Sequence, residues 1–179
     1  MSMYDVNPNE LVEKVAVKLK DVKEIKAPEW SDFVKTGHFK QRFPARTDWW
    51  HVRSAAVLRS VAKLGPIGTS KLRTKYGGKK NRGVATEKQF KASGSIIRNI
   101  LKQLEKAELI KQTQKGVHKG RVVTPKGQAI LDRASLDIYR PVKKEKPAKQ
   151  EKPAAEKKEK AARVKKPKAE KAEKVEKAE

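Results

Sequence analysis

The sequence predicts a mainly α fold, a helical bundle around a central amphipathic helix, with one small β-hairpin and a disordered basic C-terminal tail. Three observations carry this. Capping and stop residues bracket several segments whose apolar positions recur with the helical period. A short helix, a loop, a longer helix and two strand-like segments follow one another between Thr69 and Thr124. No Leu, Ile, Phe, Tyr or Trp occurs after Tyr139. With 179 residues, 36% hydrophobic and 6% aromatic, the chain has material for one modest core, placed in residues 1–140, with 141–179 as the tail.

Taken in order, Asn7-Pro8-Asn9-Glu10 supplies an N-cap, a first-turn proline and a glutamate three residues after the cap. A helix is expected from Pro8 to about Lys20, burying Leu11, Val12, Val15 and Leu19. Pro28 opens a shorter helix with Trp30, Phe33 and Val34, closed by Gly37, and these two helices are expected to make half a core. Phe39 and Phe43 follow in a basic segment ending at Pro44. Thr47 or Asp48 caps the longest helix, which runs to Leu64 and stops at Gly65-Pro66. Its wheel puts Trp50, Val57, Leu58, Val61, Ala62 and Leu64 in an apolar arc. Arg53, Arg59 and Lys63 fall opposite, beside Trp49, Ala56 and Ser60. Small side chains between cations let a phosphate backbone approach; a solvated face is the plainer reading. Trp49 either stacks on an exposed base or packs under the Phe39 to Phe43 segment, and His51 is expected to pack.

Thr69 to Tyr76 reads as a short helix ended by Gly77-Gly78, and KKNRGVATEKQFKASG as a loop. A helix follows from Gly94 to Ala107, capped by Ser93. Its Ile97, Ile100, Leu101 and Leu104 face the core, and Arg98, Lys102 and Lys106 form a second stripe. Strands are expected at Leu109 to Gln114 and Arg121 to Thr124, around the turn KGVHKG. Thr124-Pro125 opens the last helix, which carries Ala129, Ile130 and Leu131. The order helix, loop, longer helix, hairpin is winged-helix-like. In such units the second helix and the wing approach nucleic acid, and here they carry Arg98, Lys102, Lys115, His118, Lys119 and Arg121. Winged-helix units also bind proteins.

Charge points to a polyanion. The chain carries 45 Lys plus Arg against 21 Asp plus Glu, a formal net charge of +24 and a pI near 10.2. Pro141 to Glu179 holds 15 cations and 8 anions, net +7, leaving +17 on residues 1–140. Repeating Lys, Ala, Glu and Pro, that tail is too poor in apolar surface to offset the entropy of ordering it, although KAEKAEKVEKAE can coil on binding. Cysteine is absent, and His38, His51 and His118 lack ligand spacing, so neither metal nor other cofactor is expected. No run of about 18 apolar residues is present, and MSMYDVNPNE lacks the order of a secretory leader, so a soluble cytosolic protein without a membrane partner is expected. Phosphate-loop, H-x-x-x-H and nucleophile-elbow motifs are missing, which argues against an enzyme and a small-molecule substrate.

The segments TDWWHVRSAAVLRSVAKLGPIGTSKLRTKYGGKKNRGV, SGSIIRNILKQLEKAELIKQ and GRVVTPKGQAILDR resemble ribosomal small-subunit protein nineteen of the archaeal and eukaryotic type, over nearly all of residues 4–135. The brevity of the loops is closer to archaeal members. The resemblance implies a winged-helix-related body in the head of the small ribosomal subunit. There it would bind ribosomal RNA beside neighbouring ribosomal proteins in the cytoplasm and take part in subunit maturation. It also implies that the basic central helix is Asp48 to Leu64, with Arg53 and Arg59 as first RNA contacts. Lys79, Lys80 and Arg82 belong to the implied basic loop, and Thr124-Pro125-Lys126-Gly127 opens the final helix. The tail has no counterpart in the family core. The competing reading is a winged-helix DNA-binding regulator or chromatin-type protein. It accounts for the wing and the tail but not for cations on a separate helix.

Overall fold

The computed structural model describes residues 2–139; the tail expected at 141–179 lies outside the described residues. Helix α1 (Pro8–Lys20) starts as its sequence dictates: the Asn7 side chain accepts from the Asn9 N–H at 3.1 Å and Pro8 occupies the first turn. Glu10 accepts from the Asn7 side-chain amide at 3.3 Å, in place of the backbone N–H of a capping box. Leu11, Val15, Ala16 and Leu19 are buried, with Val12 half-buried beside them.

The second expected helix is a five-residue 3-10 turn, Glu29–Phe33, and does not reach Gly37. So short a turn buries only Ser31; Trp30 lies edge-on to Trp50 at 5.7 Å but stays 36% exposed at the edge of the core. Phe33 is 87% exposed, so the expected contribution of this segment to half a core shrinks to the half-buried Val34 and the edge contact of Trp30.

Helix α2 (Trp49–Leu64) is the centre of the fold, packing on α1 and on the two later helices α4 (Gly94–Lys106) and α5 (Pro125–Tyr139). Trp50, Ala55, Val57, Leu58 and Val61 are fully buried. Trp50 donates its indole N–H to Gln103 Oε1 at 2.8 Å, and Gln103 in turn donates to the Lys26 carbonyl at 2.6 Å, pinning the linker after α1. Leu64, expected in the apolar arc, is 51% exposed: it is the last helical residue before Gly65, whose φ of +67° turns the chain away. Asp48 occupies the N-cap position without a capping bond. Its carboxylate is engaged by Arg46 at 3.1 and 3.3 Å and lies 3.4 Å from Lys20, charge-assisted partners that outcompete neutral N–H groups.

Helix α3 (Thr69–Lys75) buries Leu72. The stretch expected as a loop is instead an antiparallel hairpin, β1 (Gly78–Arg82) with β2 (Ala85–Phe90), paired from Gly78 to Phe90 through Arg82 to Ala85 and irregular between Lys80 and Arg82. Its residues do not alternate in polarity, and β2 is exposed as far as Gln89 while β1 alternates only between half-buried and exposed, so pairing rests on the backbone and on the turn. There the Gly83 N–H is accepted by Asn81 Oδ1 at 2.8 Å and Gly83 has φ +70°. Helix α4 buries Ile96, Ile97, Ile100, Leu101 and Leu104 and leaves Arg98, Lys102 and Lys106 exposed. Ser93 makes no side-chain cap; its backbone N–H is used on the Thr36 carbonyl at 3.0 Å.

The wing is β3 (Ile110–Lys115) with β4 (His118–Val123), in register from Ile110–Val123 to Lys115–His118. Because β4 begins at His118, the turn is tighter than KGVHKG implied, with Gly116 at φ +60°. Ile67 adds a one-residue rung by exchanging backbone hydrogen bonds with Arg121 at 3.2 and 3.0 Å. Gly120 makes this possible, since a Cβ there would lie 2.5 Å from the Ile67 nitrogen. The order α2, Ile67, α3, α4, β3, β4 is that of a winged helix, with β1–β2 inserted and α1 and α5 packed together outside it. Thr124 caps α5, accepting from the Gly127 N–H at 3.3 Å. Leu131 and Ala134 are buried, Ile130 is half-buried and Ala129 is exposed.

Candidate nucleic-acid interface

The middle of α2 carries three expected contacts and draws in a fourth from α3. Arg53 is half-buried, its guanidinium over the Tyr76 ring at 4.6 Å from the centroid. Ser60 lies one face-repeat further along. It donates to the Ala56 carbonyl at 2.8 Å, accepts from Lys75 Nζ at 2.7 Å and sits 2.9 Å from the Tyr76 hydroxyl. Arg59 is half-buried, and its Nε is buried without a hydrogen-bond partner among the described residues. Lys63 is exposed.

The electrostatics of this cluster are one-sided. Burial pushes the Lys75 ammonium below its ordinary value, and repulsion from Arg59 and Lys63 pushes it the same way. Burial lowers Arg53 and raises the Tyr76 phenol, the latter partly countered by its hydrogen bond with Ser60 and then by Arg53 and Arg59. Among the described residues, no carboxylate lies within ion-pair distance of Arg53, Arg59, Lys63 or Lys75; the ion pairs are elsewhere. A cluster of cations that repel one another, with no acid to match them among the described residues, gains from an anion such as a phosphate oxygen.

The other expected residues sit in three places. On the β1–β2 hairpin, Lys79 lies 4.0 Å from Glu87, Lys80 Nζ is 3.1 Å from His38 Nε2, and Arg82 reaches the Thr86 carbonyl at 3.4 Å. On α4, Arg98 and Lys102 point to solvent. On the wing, Lys119 is exposed, whereas Arg121 is half-buried and bound to Glu105 through two bonds of 3.1 and 3.4 Å. Arg121 therefore braces the wing against α4, its charge already matched. Lys115 ends β3, and its side chain lies outside what the structure describes.

Trp49, placed by the wheel on the cationic arc, is 8% exposed and packs edge-on to Trp50 at 5.4 Å. His51 is packed, 3.2 Å from the Ile25 carbonyl. The wheel places Ser60 on the cationic arc, but sequence reasoning missed Lys75 as its partner there, and Lys40 and Arg42 as cations bordering a groove beside it. One signal was available: from Trp49 to Leu104 there are thirteen Lys or Arg and a single acid, Glu87. Among the described residues no cluster of His, Asp and Glu could hold a metal, and no helix is long and apolar enough to cross a membrane.

Fold and charge together define a basic winged-helix protein, elaborated by two flanking helices and an inserted hairpin. Comparison with known proteins narrows this. Residues 2–141 match the family model described as Ribosomal protein S19e. A small ribosomal subunit protein eS19 from the archaeon Aeropyrum pernix is 41% identical over 148 residues, covering 82% of this chain and 95% of the relative. The relative from the nematode Ascaris suum, named small ribosomal subunit protein eS19G, is 41% identical over 132 residues (74% and 88%). That from Thermoplasma acidophilum is 40% identical over 135 residues (75% and 87%). The chain belongs to the S19e family of ribosomal proteins, which are structural constituents and not enzymes.

Proposed function

We propose that the protein binds small-subunit ribosomal RNA in the head of the small ribosomal subunit, next to other ribosomal proteins, and supports maturation of that subunit. The observation that carries this is the α2–α3 cluster, in which Arg53, Arg59, Lys63 and Lys75 stand together with no carboxylate partner among the described residues. Phosphates are the anions that such a cluster matches, and each one neutralised releases condensed counterions. Arginines rank first there because the planar fork holds two oxygens at once. The hairpin cations Lys79, Lys80 and Arg82 and the α4 and wing cations Arg98, Lys102, Lys115 and Lys119 widen the footprint; Arg121 serves by holding the wing. Specificity comes from shape, a rigid body meeting several helices of a folded RNA.

The test is sedimentation of tagged full-length protein from gently lysed cells, followed by a high-salt wash. Comigration with small subunits and assembled ribosomes that survives the wash is the expected result. Absence from those fractions, with recovery on DNA, refutes the proposal and restores the winged-helix regulator.

A further inference from the structure

Beside the α2 cluster lies an open groove of about 510 Å³, bounded by the segment from Lys40 to Arg46 on one side and by α2 and Tyr76 on the other. Resting on the ribosomal-RNA reading above, we propose that this groove holds one unpaired nucleotide of RNA, its base stacked between the Arg53 guanidinium and Phe43. The volume falls in the range of about 300–1,000 Å³ typical of clefts that take a small organic ligand. The groove is too small for a duplex, so the base has to be unpaired.

The surfaces match a base and its phosphate. Arg53 lines the groove and is half-buried, its guanidinium carbon 4.6 Å from the Tyr76 ring centroid, a contact that holds a planar cation at the groove, where it can stack on a flat ring. Phe43 also lines the groove and is 64% exposed, a large apolar ring with no aromatic partner among the described residues. Val52 and Ala56 present small apolar surface. Charge complementarity selects the occupant. Lys40 and Arg42 stand at the groove with no ion pair among the described residues, while the remaining lining cation, Arg46, is already tied to Glu13 and Asp48, each at 3.1 Å. No lining residue is acidic. Stacking rings bordered by unmatched cations are how single-stranded RNA is held. An acidic peptide would use the cations but not the planar surfaces.

The experiment uses the full-length chain and three labelled probes: hexauridylate, the same ribose-phosphate chain without bases, and a twelve-base-pair RNA duplex. Wild type is expected to prefer hexauridylate over the abasic chain by about tenfold, the scale of a single base–aromatic stack. Phe43→Ala, at an exposed position, is expected to abolish that preference while leaving abasic and duplex binding unchanged. Ala56→Leu, which fills the groove, is expected to abolish the preference for hexauridylate over the abasic chain as well, so the result does not hang on one variant. Equal wild-type affinity for hexauridylate and the abasic chain overturns the inference, as does an unchanged preference in both variants; the first is the outcome expected if an acidic protein segment is the occupant. Either result, obtained while the wild type still sediments with small subunits, leaves the ribosomal-RNA reading standing. Failure of the wild type to bind any RNA or to sediment with subunits overturns both.

Discussion

Replacing Arg59 and Lys63 together by glutamine separates binding from folding. Both lie on α2 four residues apart, where like charges cost a helix about 0.2–0.5 kcal/mol. Lys63 is exposed and has no ion-pair partner among the described residues, and both cations push Lys75 down, so neutralising them removes repulsion. Against that stands the packing of the half-buried Arg59 stem, part of which glutamine keeps. The two nearly cancel, so the melting temperature is expected to stay within about 3 °C of wild type. Binding behaves differently. Each phosphate-neutralising cation contributes about 0.7–0.9 to the slope of log K against log salt, so the pair flattens it by about 1.4–1.8. With roughly ten phosphate contacts, the wild-type slope is about −7 to −9. If the two curves converge near 1 M salt, affinity at 0.1 M falls about 25- to 60-fold. Fluorescence anisotropy of a small-subunit RNA fragment, titrated from 0.1 to 0.5 M salt, reads both numbers. An unchanged slope would show that the cluster does not meet phosphate. A uniform loss at every salt, with a lowered melting temperature, would show that these residues hold the fold instead.

Two further expectations concern the scaffold. Gly120→Ala drives a Cβ into the Ile67 backbone and should destabilise by about 1–3 kcal/mol, by loosening the wing at its third rung; a thermal melt checks it, and a loss below about 0.5 kcal/mol would refute the crowding argument. The Asp48 carboxyl is held below its ordinary 3.8, first by its hydrogen bond to Arg46 and also by Lys20. Its contribution to stability is therefore present above pH 3.8 and is lost as the pH falls through the lowered value, so Asp48→Asn should flatten the acid limb of a stability–pH curve, and an unaltered limb would discount the ion pair.

Helix legibility followed from how much each segment could say locally. α1, α2 and α4 declare themselves by caps, stops and a strong apolar stripe, and their starts and ends lie within a residue or so of expectation. The β1–β2 hairpin was missed because strands exposed on both faces carry no alternation; the available cue was Asn-Arg-Gly at its turn. The Trp30 segment misled because apolar residues in a five-residue turn cannot be told from a helix face by periodicity.

The candidate site divides along the same line. Arg53, Arg59 and Lys63 were readable because one helix carries them at helical spacing. Lys75 was not, since its meeting with Ser60 depends on α3 crossing α2, and Arg121 reads as a wing cation in the sequence because Glu105 of α4 reaches it only in the folded chain. Composition, caps and period therefore settle that this is a basic helical protein with a wing and which helix bears the central cations, because those depend on neighbours along the chain. Which cations are already matched, which tryptophan is covered, and where a groove opens between Phe43 and Arg53 were decided by packing, because each depends on residues that are distant in sequence and meet only when the core forms.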